Sequence, residues 1–240
     1  MKEAIILAGG FGTRLRSVIQ DIPKPMSPIE GKPFLKFLLK QLSLFGFSRA
    51  VLSVGYRHEV VSRHFGSSFG TMQVDYCVED APLGTGGAVA KAMRQTSADD
   101  VLVLNGDSIL LASIDRFYDF HHAQGTPISI ALKAEKNFDR YGSITLNGSK
   151  ITGFEEKRHV DEGVFNAGMY WLHSSVKDFL SVLSVPFSLE KEIFEKQVFP
   201  LSGCVFHDYF IDIGIPEDYA RAQTALLPAF ESFFHHDAKS

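Results

Sequence analysis

Apolar residues come in short bursts along the first half of the chain, and the periods they follow alternate. Residues 4–8, 50–54, 73–78 and 101–105 are brief, nearly continuous apolar runs, the pattern of strands buried on both faces. Between them, residues 33–45, 58–65 and 88–94 space their apolar positions as a helix does, and a further helix is expected from Ser113 or Ile114 to His122. Strand–helix–strand alternation predicts a parallel sheet covered by helices, an α/β domain.

The texture changes after about residue 126. Residues 127–134, 141–146, 150–154 and 164–172 read as strands set close together, with Asn147-Gly148 as a turn signal, so this region is expected to be mixed and more antiparallel. Helical segments follow near 174–183 and 189–195. A short strand ends at Ile213, and Pro216 opens a helix through residue 225. No internal repeat, low-complexity tract or Pro/Gly/Ser linker interrupts the chain. One continuous sheet with a later lobe is expected rather than two separable domains.

Composition narrows the classes. With 240 residues, 45% apolar and 22% charged, the chain is neither disordered nor a fibre. A net charge of −4 speaks against a nucleic-acid partner, which needs a basic stripe to meet phosphates. The apolar run at 4–8 is shorter than a secretory core of roughly 7–15 residues. No stretch approaches the roughly 20 apolar residues of a spanning helix, so no membrane partner is expected. Two cysteines, Cys77 and Cys204, are too few for a disulfide framework, and a reducing, cytoplasmic compartment is the expectation. The tail 226–236 carries Leu226, Leu227, Phe230, Phe233 and Phe234. It reads either as a terminal helix packed on its own domain or as a homo-oligomer contact, given 21 phenylalanines in all.

The most informative segment is Leu7-Ala8-Gly9-Gly10-Phe11-Gly12-Thr13-Arg14-Leu15, directly after the first expected strand. Glycines expose backbone N–H groups that can cradle phosphate oxygens, and Arg14 adds a permanently charged fork. It matches neither the Walker-A loop nor G-x-G-x-x-G. A tight glycine turn before a helix is the bland reading; Thr13-Arg14 behind the glycines favours phosphate. Lys24 stands between Pro23 and Pro25, which hold it in extended backbone where it can be aimed as a point charge.

A second glycine-rich turn, Pro82-Leu83-Gly84-Thr85-Gly86-Gly87-Ala88, lies between a strand and a helix and would allow close approach to a base or ribose. Just upstream, Glu79 can accept from two donors at once. Guanine offers N1–H and N2–H₂ on its Watson–Crick edge, so a Glu in a base pocket favours guanine; a solvated loop acid is the competing reading, and both stay open here. Asp107, in Asn105-Gly106-Asp107, ends the fourth strand, where ligands of open parallel sheets sit. Asp212, in Phe210-Ile211-Asp212-Ile213-Gly214, has apolar residues on both sides, where acids are rarely structural unless paired or metal-bound. Each acid alone reads equally as a cap or turn acid, and the two together with the phosphate loop favour a metal. Two such carboxylates with phosphate oxygens and waters suit Mg²⁺. The histidines show no metal spacing, and His121-His122 and His235-His236 are expected on exposed helix faces. No nucleophile elbow is present, and hydrolysis has no support.

In order and spacing, these segments resemble the sugar-1-phosphate nucleotidyltransferases over nearly the whole chain. Tyr141-Gly142, Phe154-Glu155-Glu156-Lys157, Asn166-Ala167-Gly168 and Ile211-Asp212-Ile213-Gly214 complete the match. The resemblance implies a Rossmann-like fold with a mixed, mostly parallel central sheet flanked by helices and a small sugar-binding lobe. It divides one domain, 1–240, into a nucleotide-binding core over 1–125 and a sugar-phosphate part with C-terminal helices over 126–240. It implies that Arg14 and Lys24 act on the phosphates, and that Leu7, Ala8, Gly9, Gly10, Gly12, Thr13, Glu79, Gly84 and Thr85 hold the nucleotide. It further implies that Gly142, Glu156, Lys157 and Asn166 hold the sugar phosphate, and that Asp107 and Asp212 bind Mg²⁺. The expected partners are GTP and a sugar 1-phosphate. A left-handed β-helix like that of longer relatives is not expected.

Within the family, the texture of 22–28, 31–35 and 78–87 is similar to that of the D-glycero-α-D-manno-heptose 1-phosphate guanylyltransferases, which implies supply of a capsule or lipopolysaccharide precursor. Arg158 stands where relatives commonly carry proline. Mannose 1-phosphate, UTP or dTTP as substrates remain open, as do a cytidylyltransferase and a non-catalytic nucleotide-sugar sensor.

Overall fold

A strand with apolar residues on both faces is buried on both sides and bonds its backbone to a neighbour along each edge. In the computed structural model, which describes residues 1–10 and 22–237, β1 (Glu3–Leu7) is such a strand. A small hairpin of β2 (Pro28–Ile29) and β3 (Lys32–Pro33) leads into α1 (Phe34–Leu44). Then come β4 (Arg49–Val54), α2 (His58–Phe65), β5 (Ser68–Phe69), β6 (Met72–Val78), α3 (Gly84–Met93) and β7 (Asp100–Asn105). After β8 (Ser108–Leu110) and α4 (Ile114–Gln124), four longer strands follow: β9 (Ile128–Phe138), β10 (Gly142–Asn147), β11 (Lys150–Lys157) and β12 (Val160–His173). The chain closes with α5 (Lys177–Ser181), a π-helical turn over Glu190–Phe194, β13 (Leu201–Phe206), β14 (Phe210–Asp212) and α6 (Pro216–Asp237).

Ten strands form one sheet in the order β10-β11-β13-β9-β12-β7-β1-β4-β6-β5. Strands β7, β1, β4 and β6 run parallel, as do β9 and β13, and the pairings around them are antiparallel. This is the expected α/β class with a mixed sheet, but the sheet is not mostly parallel. Among the described residues four of its nine neighbouring pairings are parallel and five antiparallel, because the closely spaced second-half strands pair back on one another. The two-residue period of a strand divides the core between the faces. Ile6, Leu52, Leu102 and Trp171 pack with Phe34, Leu38, Phe117 and Leu226 of α1, α4 and α6. Their neighbours Ile5, Val51, Val101 and Tyr170 pack with Val89, Met93, Leu180 and Phe194 on the other face.

The four parallel strands and α2 match their expected ranges closely, and α4 starts as Ser113 predicts: its hydroxyl accepts from the Arg116 N–H at 3.2 Å. Other elements differ. The expected helix at 88–94 begins at Gly84, so the second glycine-rich turn is the first turn of α3. Strand β13 was not anticipated, because Ser202 and Gly203 dilute its apolar pattern; pairing with β9 makes it a strand. The tail is one helix with the Pro216 segment. Leu226 and Phe230 are buried, Phe230 meets Phe37 at 5.6 Å, and Phe233 and Phe234 lie against Phe45. These rings cover α1 of their own domain.

At the amino ends of the parallel strands, buried Glu3 ties the sheet together. Its carboxylate accepts from the Ser97 and Ala98 amides at 2.6 and 2.7 Å and from Arg49 at 3.0 Å, and Arg49 also bonds Asp75 at 2.6 Å. Burial alone would raise this carboxyl; the Ala98 and Ser97 amides and Arg49 outweigh it and hold it below its ordinary value. No helix among the described residues is long and apolar enough to cross a membrane. Cys77 and Cys204 are buried free thiols.

Candidate active site

Because β7, β1, β4 and β6 are parallel, their carboxyl ends converge on one edge of the sheet. A cavity of about 530 Å³ opens there. Leu7, Gly9 and Gly10 line it after β1, Glu79 after β6, and Gly84 and Thr85 at the start of α3. Lys24 and Asp107 complete the wall. Gly12, Thr13 and Arg14 lie outside the described residues.

Gly9 lets β1 close on Glu79, since a Cβ there would stand 2.7 Å from Glu79 Oε1, whereas a Cβ on Gly10 would meet nothing within 4 Å among the described residues. Ala8 is placed differently from its glycine neighbours: it is buried, and its N–H is committed to the Ser53 carbonyl at 2.7 Å. Glu79 is fixed by two donors, the Ser53 hydroxyl at 2.9 Å and the Leu83 amide at 3.4 Å. Ser53 is a site residue that sequence reasoning missed. Its signal was a lone polar side chain in the apolar run of β4.

The glycines of α3 also admit a neighbouring segment of chain, while Gly84 keeps its place in the cavity wall. Those at 84, 86 and 87 face the chain around Phe187: a Cβ on Gly86 would overlap the Phe187 ring, and one on Gly87 would stand 2.8 Å from Val185 Cγ1. The Gly86 amide donates to the Phe187 carbonyl at 3.0 Å. Thr85 also turns inward, donating to Glu190 at 2.6 Å and accepting from the Leu189 amide at 2.9 Å.

The two aspartates are brought together by the pairing of β8 with β14, which sets Asp212 opposite Ser108. Lys24 Nζ pairs with Asp107 Oδ2 at 2.5 Å. A Cβ on Gly214 would be 3.2 Å from Lys24 Nζ and 2.7 Å from Asp212 Oδ1, so ammonium and both carboxylates share one corner. Burial, then the Asp107 charge, pushes the Asp212 carboxyl up; Lys24, the Gly214 amide and Arg140 partly offset this. No cluster of three or more His, Cys, Asp or Glu able to hold a metal occurs among the described residues. Two hard carboxylates in mutual repulsion, beside a cavity open to a phosphorylated ligand, are a donor set that a divalent cation completed by phosphate and water oxygens would satisfy.

The residues expected to hold the sugar phosphate are spread around this corner. Gly142 and Lys157 are register partners of β10 and β11, and Glu156 and Lys157 are exposed at the end of β11, outside the cavity wall. Tyr141, next to Gly142, donates to Asp212 Oδ2 at 3.4 Å and so links this hairpin to the acids. Asn166 bridges a bulge in β12, accepting from the Gly168 amide at 2.8 Å and donating to the Tyr170 hydroxyl at 3.0 Å.

A larger cavity, about 850 Å³, opens at the opposite end of the sheet and holds none of the expected site residues. His121 lines it but is only 4% exposed, correcting the expected exposed face; it bonds Ser129 at 2.7 Å and Asp100 at 3.2 Å, while His122 is exposed. His235 is exposed as expected.

A family model described as nucleotidyl transferase matches residues 3–228. The chain is a member of the nucleotidyl transferase family. It is 40% identical over 226 residues to a D-glycero-alpha-D-manno-heptose 1-phosphate guanylyltransferase of Aneurinibacillus thermoaerophilus, covering 93% of this chain and 98% of that protein. A protein of the same description from Campylobacter jejuni subsp. jejuni is 39% identical over 220 residues, covering 90% and 96%. The crystal structure of HddC from Yersinia pseudotuberculosis complexed with GMP-PN is similar with a TM-score of 0.83 and 34% identity, over 94% of this chain and 100% of that one. The resemblance read from the motifs is therefore correct, and the α/β nucleotidyl transferase fold and transferase class follow for this chain.

Proposed function

We propose that this enzyme transfers GMP from GTP to D-glycero-α-D-manno-heptose 1-phosphate, releasing pyrophosphate and forming a GDP-heptose for surface polysaccharide synthesis. The observation that carries the chemistry is the meeting of Lys24, Asp107 and Asp212 in one corner beside the cavity at the ends of the parallel strands. Similarity along nearly the full length to heptose 1-phosphate guanylyltransferases supports the choice of base and sugar.

In this reading an oxygen of the sugar phosphate attacks the α-phosphorus of GTP. The new P–O bond forms as the bond to the β-phosphate oxygen breaks, and pyrophosphate leaves with that electron pair. The attacking group is already an anion, so no general base is required. The difficulty is repulsion between two highly charged reactants, which positioning and fixed charge must relieve. Lys24 stands ready for this, its ammonium held by Asp107 and its backbone by a 3-10 turn over Lys24–Met26, in place of the extended chain expected between the prolines. Arg14 and Lys157 are assigned the same role on the two substrates. Asp107 and Asp212 would hold Mg²⁺, which when bound supplies charge neutralisation at the phosphate oxygens.

Leu7, Gly9, Gly10, Gly12, Thr13, Gly84 and Thr85 are assigned to the nucleotide, with Glu79 reading the guanine N1–H and N2–H₂. Gly142, Glu156 and Asn166 are assigned to the sugar. Small phosphorylated substrates of this kind place the reaction in the cytoplasm and call for neither nucleic acid nor membrane.

The test is pyrophosphate release with Mg²⁺, crossing GTP, ATP, UTP, CTP and dTTP against heptose, mannose, glucose and N-acetylglucosamine 1-phosphates. Release confined to GTP with the manno-heptose phosphate is expected. Release with another pair would keep the mechanism and overturn the substrates. No release from folded, nucleotide-binding protein would make the chain a sensor.

A further inference from the structure

The Asp212 carboxylate is held from two sides. Oδ1 accepts from the Gly214 amide of its own loop at 2.6 Å. Oδ2 faces the turn between β9 and β10, where the Tyr141 hydroxyl donates at 3.4 Å and Arg140 Nη2 lies at 3.8 Å. Neither group is loose. The Tyr141 ring stacks on buried Phe165 at 4.1 Å and 14°, with Phe210 edge-on at 6.0 Å. The Arg140 guanidinium lies over the Tyr141 ring at 5.3 Å, and its other nitrogen pairs with Asp218. Asp218 is itself buried at the start of α6 and paired with Arg221 at 2.9 Å.

We propose that Arg140 and Tyr141 are positioning residues that hold Asp212 in the orientation in which it and Asp107 receive a divalent cation. This rests on the reading of Asp107 and Asp212 as the cation-binding pair. Two like charges in one corner turn away from each other unless each has its own counterpart. Lys24 serves Asp107, and Arg140 with Tyr141 serves Asp212. A guanidinium suits the task because its planar fork reaches Asp212 and Asp218 together, whereas an ammonium is a single point. Both residues lead directly into Gly142, so the hairpin expected to hold the sugar phosphate also carries the groups that aim the carboxylate. Groups behind a metal ligand that fix its orientation change metal affinity by about 10–100-fold when removed.

The experiment uses Mn²⁺ as the probe, titrated into the full chain with GTP and no sugar phosphate, with free Mn²⁺ read by electron paramagnetic resonance. Arg140→Lys and Tyr141→Phe are expected to weaken Mn²⁺ binding about tenfold or more while far-ultraviolet circular dichroism stays that of the parent. A purely structural role would lower the melting temperature and leave Mn²⁺ binding unchanged. Parental Mn²⁺ affinity in both variants overturns the inference. If Arg140→Lys does not fold, Tyr141→Phe decides alone, because it keeps the ring stack and removes only the hydroxyl. Asp212→Asn separates the two levels: parental Mn²⁺ binding there overturns the cation reading itself, whereas loss there with no change in the other variants sinks only the positioning role.

Discussion

The Ile213 amide donates to the Asp107 carbonyl at 2.9 Å, and this bond between two distant stretches of chain puts Asp212 beside Asp107. It extends the pairing of β8 with β14, a two-stranded ribbon that lies outside the main sheet. The acid pair is thus held by backbone hydrogen bonds, and its side chains can be altered without dismantling the support.

That separation makes the charged corner testable. Lys24→Met and Asp107→Asn should each lower the rate of pyrophosphate release by about 10²–10³-fold, the scale of losing one fixed charge-stabilising group. Far-ultraviolet circular dichroism should stay that of the parent. Near-parental turnover in either variant would remove that residue from the mechanism.

Glu79 is aimed by Ser53 and the Leu83 amide. Glu79→Gln replaces a double acceptor with a group that presents N–H to a guanine donor. The preference for GTP over ATP in kcat/KM should fall by the equivalent of about 1–3 kcal/mol, the worth of a good bidentate base contact. An unchanged preference would return Glu79 to a structural role beside Gly9.

Two glycines near the cavity should respond in opposite ways. Gly86→Ala drives a methyl into the Phe187 ring and should destabilise the fold by about 1–3 kcal/mol in urea unfolding. Gly10→Ala meets nothing within 4 Å among the described residues, so its unfolding midpoint should match the parent's, and any cost should appear in the KM for GTP. A stability loss at Gly10 with none at Gly86 would contradict the packing described for α3.

At the other end of the strands, Glu3→Gln removes the buried anion that accepts from the Ser97 and Ala98 amides and from Arg49, which keeps Asp75, and should cost about 1–3 kcal/mol near neutral pH. The sign of the pH dependence follows from the direction of the shift. The folded-state carboxyl lies below its ordinary value of 4.5, so its contribution is present above that value and is lost as pH falls through the folded value. The gap in stability between parent and variant should therefore narrow below about pH 4.5. A gap that stays constant into strong acid would mean that Glu3 is not ionised in the folded protein.

Parts of the site were legible because their cause is local. The glycines after β1, Lys24 between two prolines, and an aspartate inside an apolar strand each depend on a few neighbouring residues. Arg140 was not legible. It is one more charged residue in a polar loop until folding sets it between Asp212 and Asp218. His121 was misplaced for a related reason: a histidine pair on a helix gives no sign that one ring turns inward to Ser129 and Asp100.

By itself, the amino-acid sequence determined the four parallel strands, the helices between them and the loops that end them, because apolar period, proline and glycine act over a few residues. It also carried the order of motifs that makes the chain a nucleotidyl transferase. Only the tertiary structure decided that β13 is a strand, that the glycines of α3 receive Phe187, and that Asp107, Asp212, Lys24 and Arg140 share one corner. Those outcomes depend on pairing and packing between distant segments, which a local pattern does not contain.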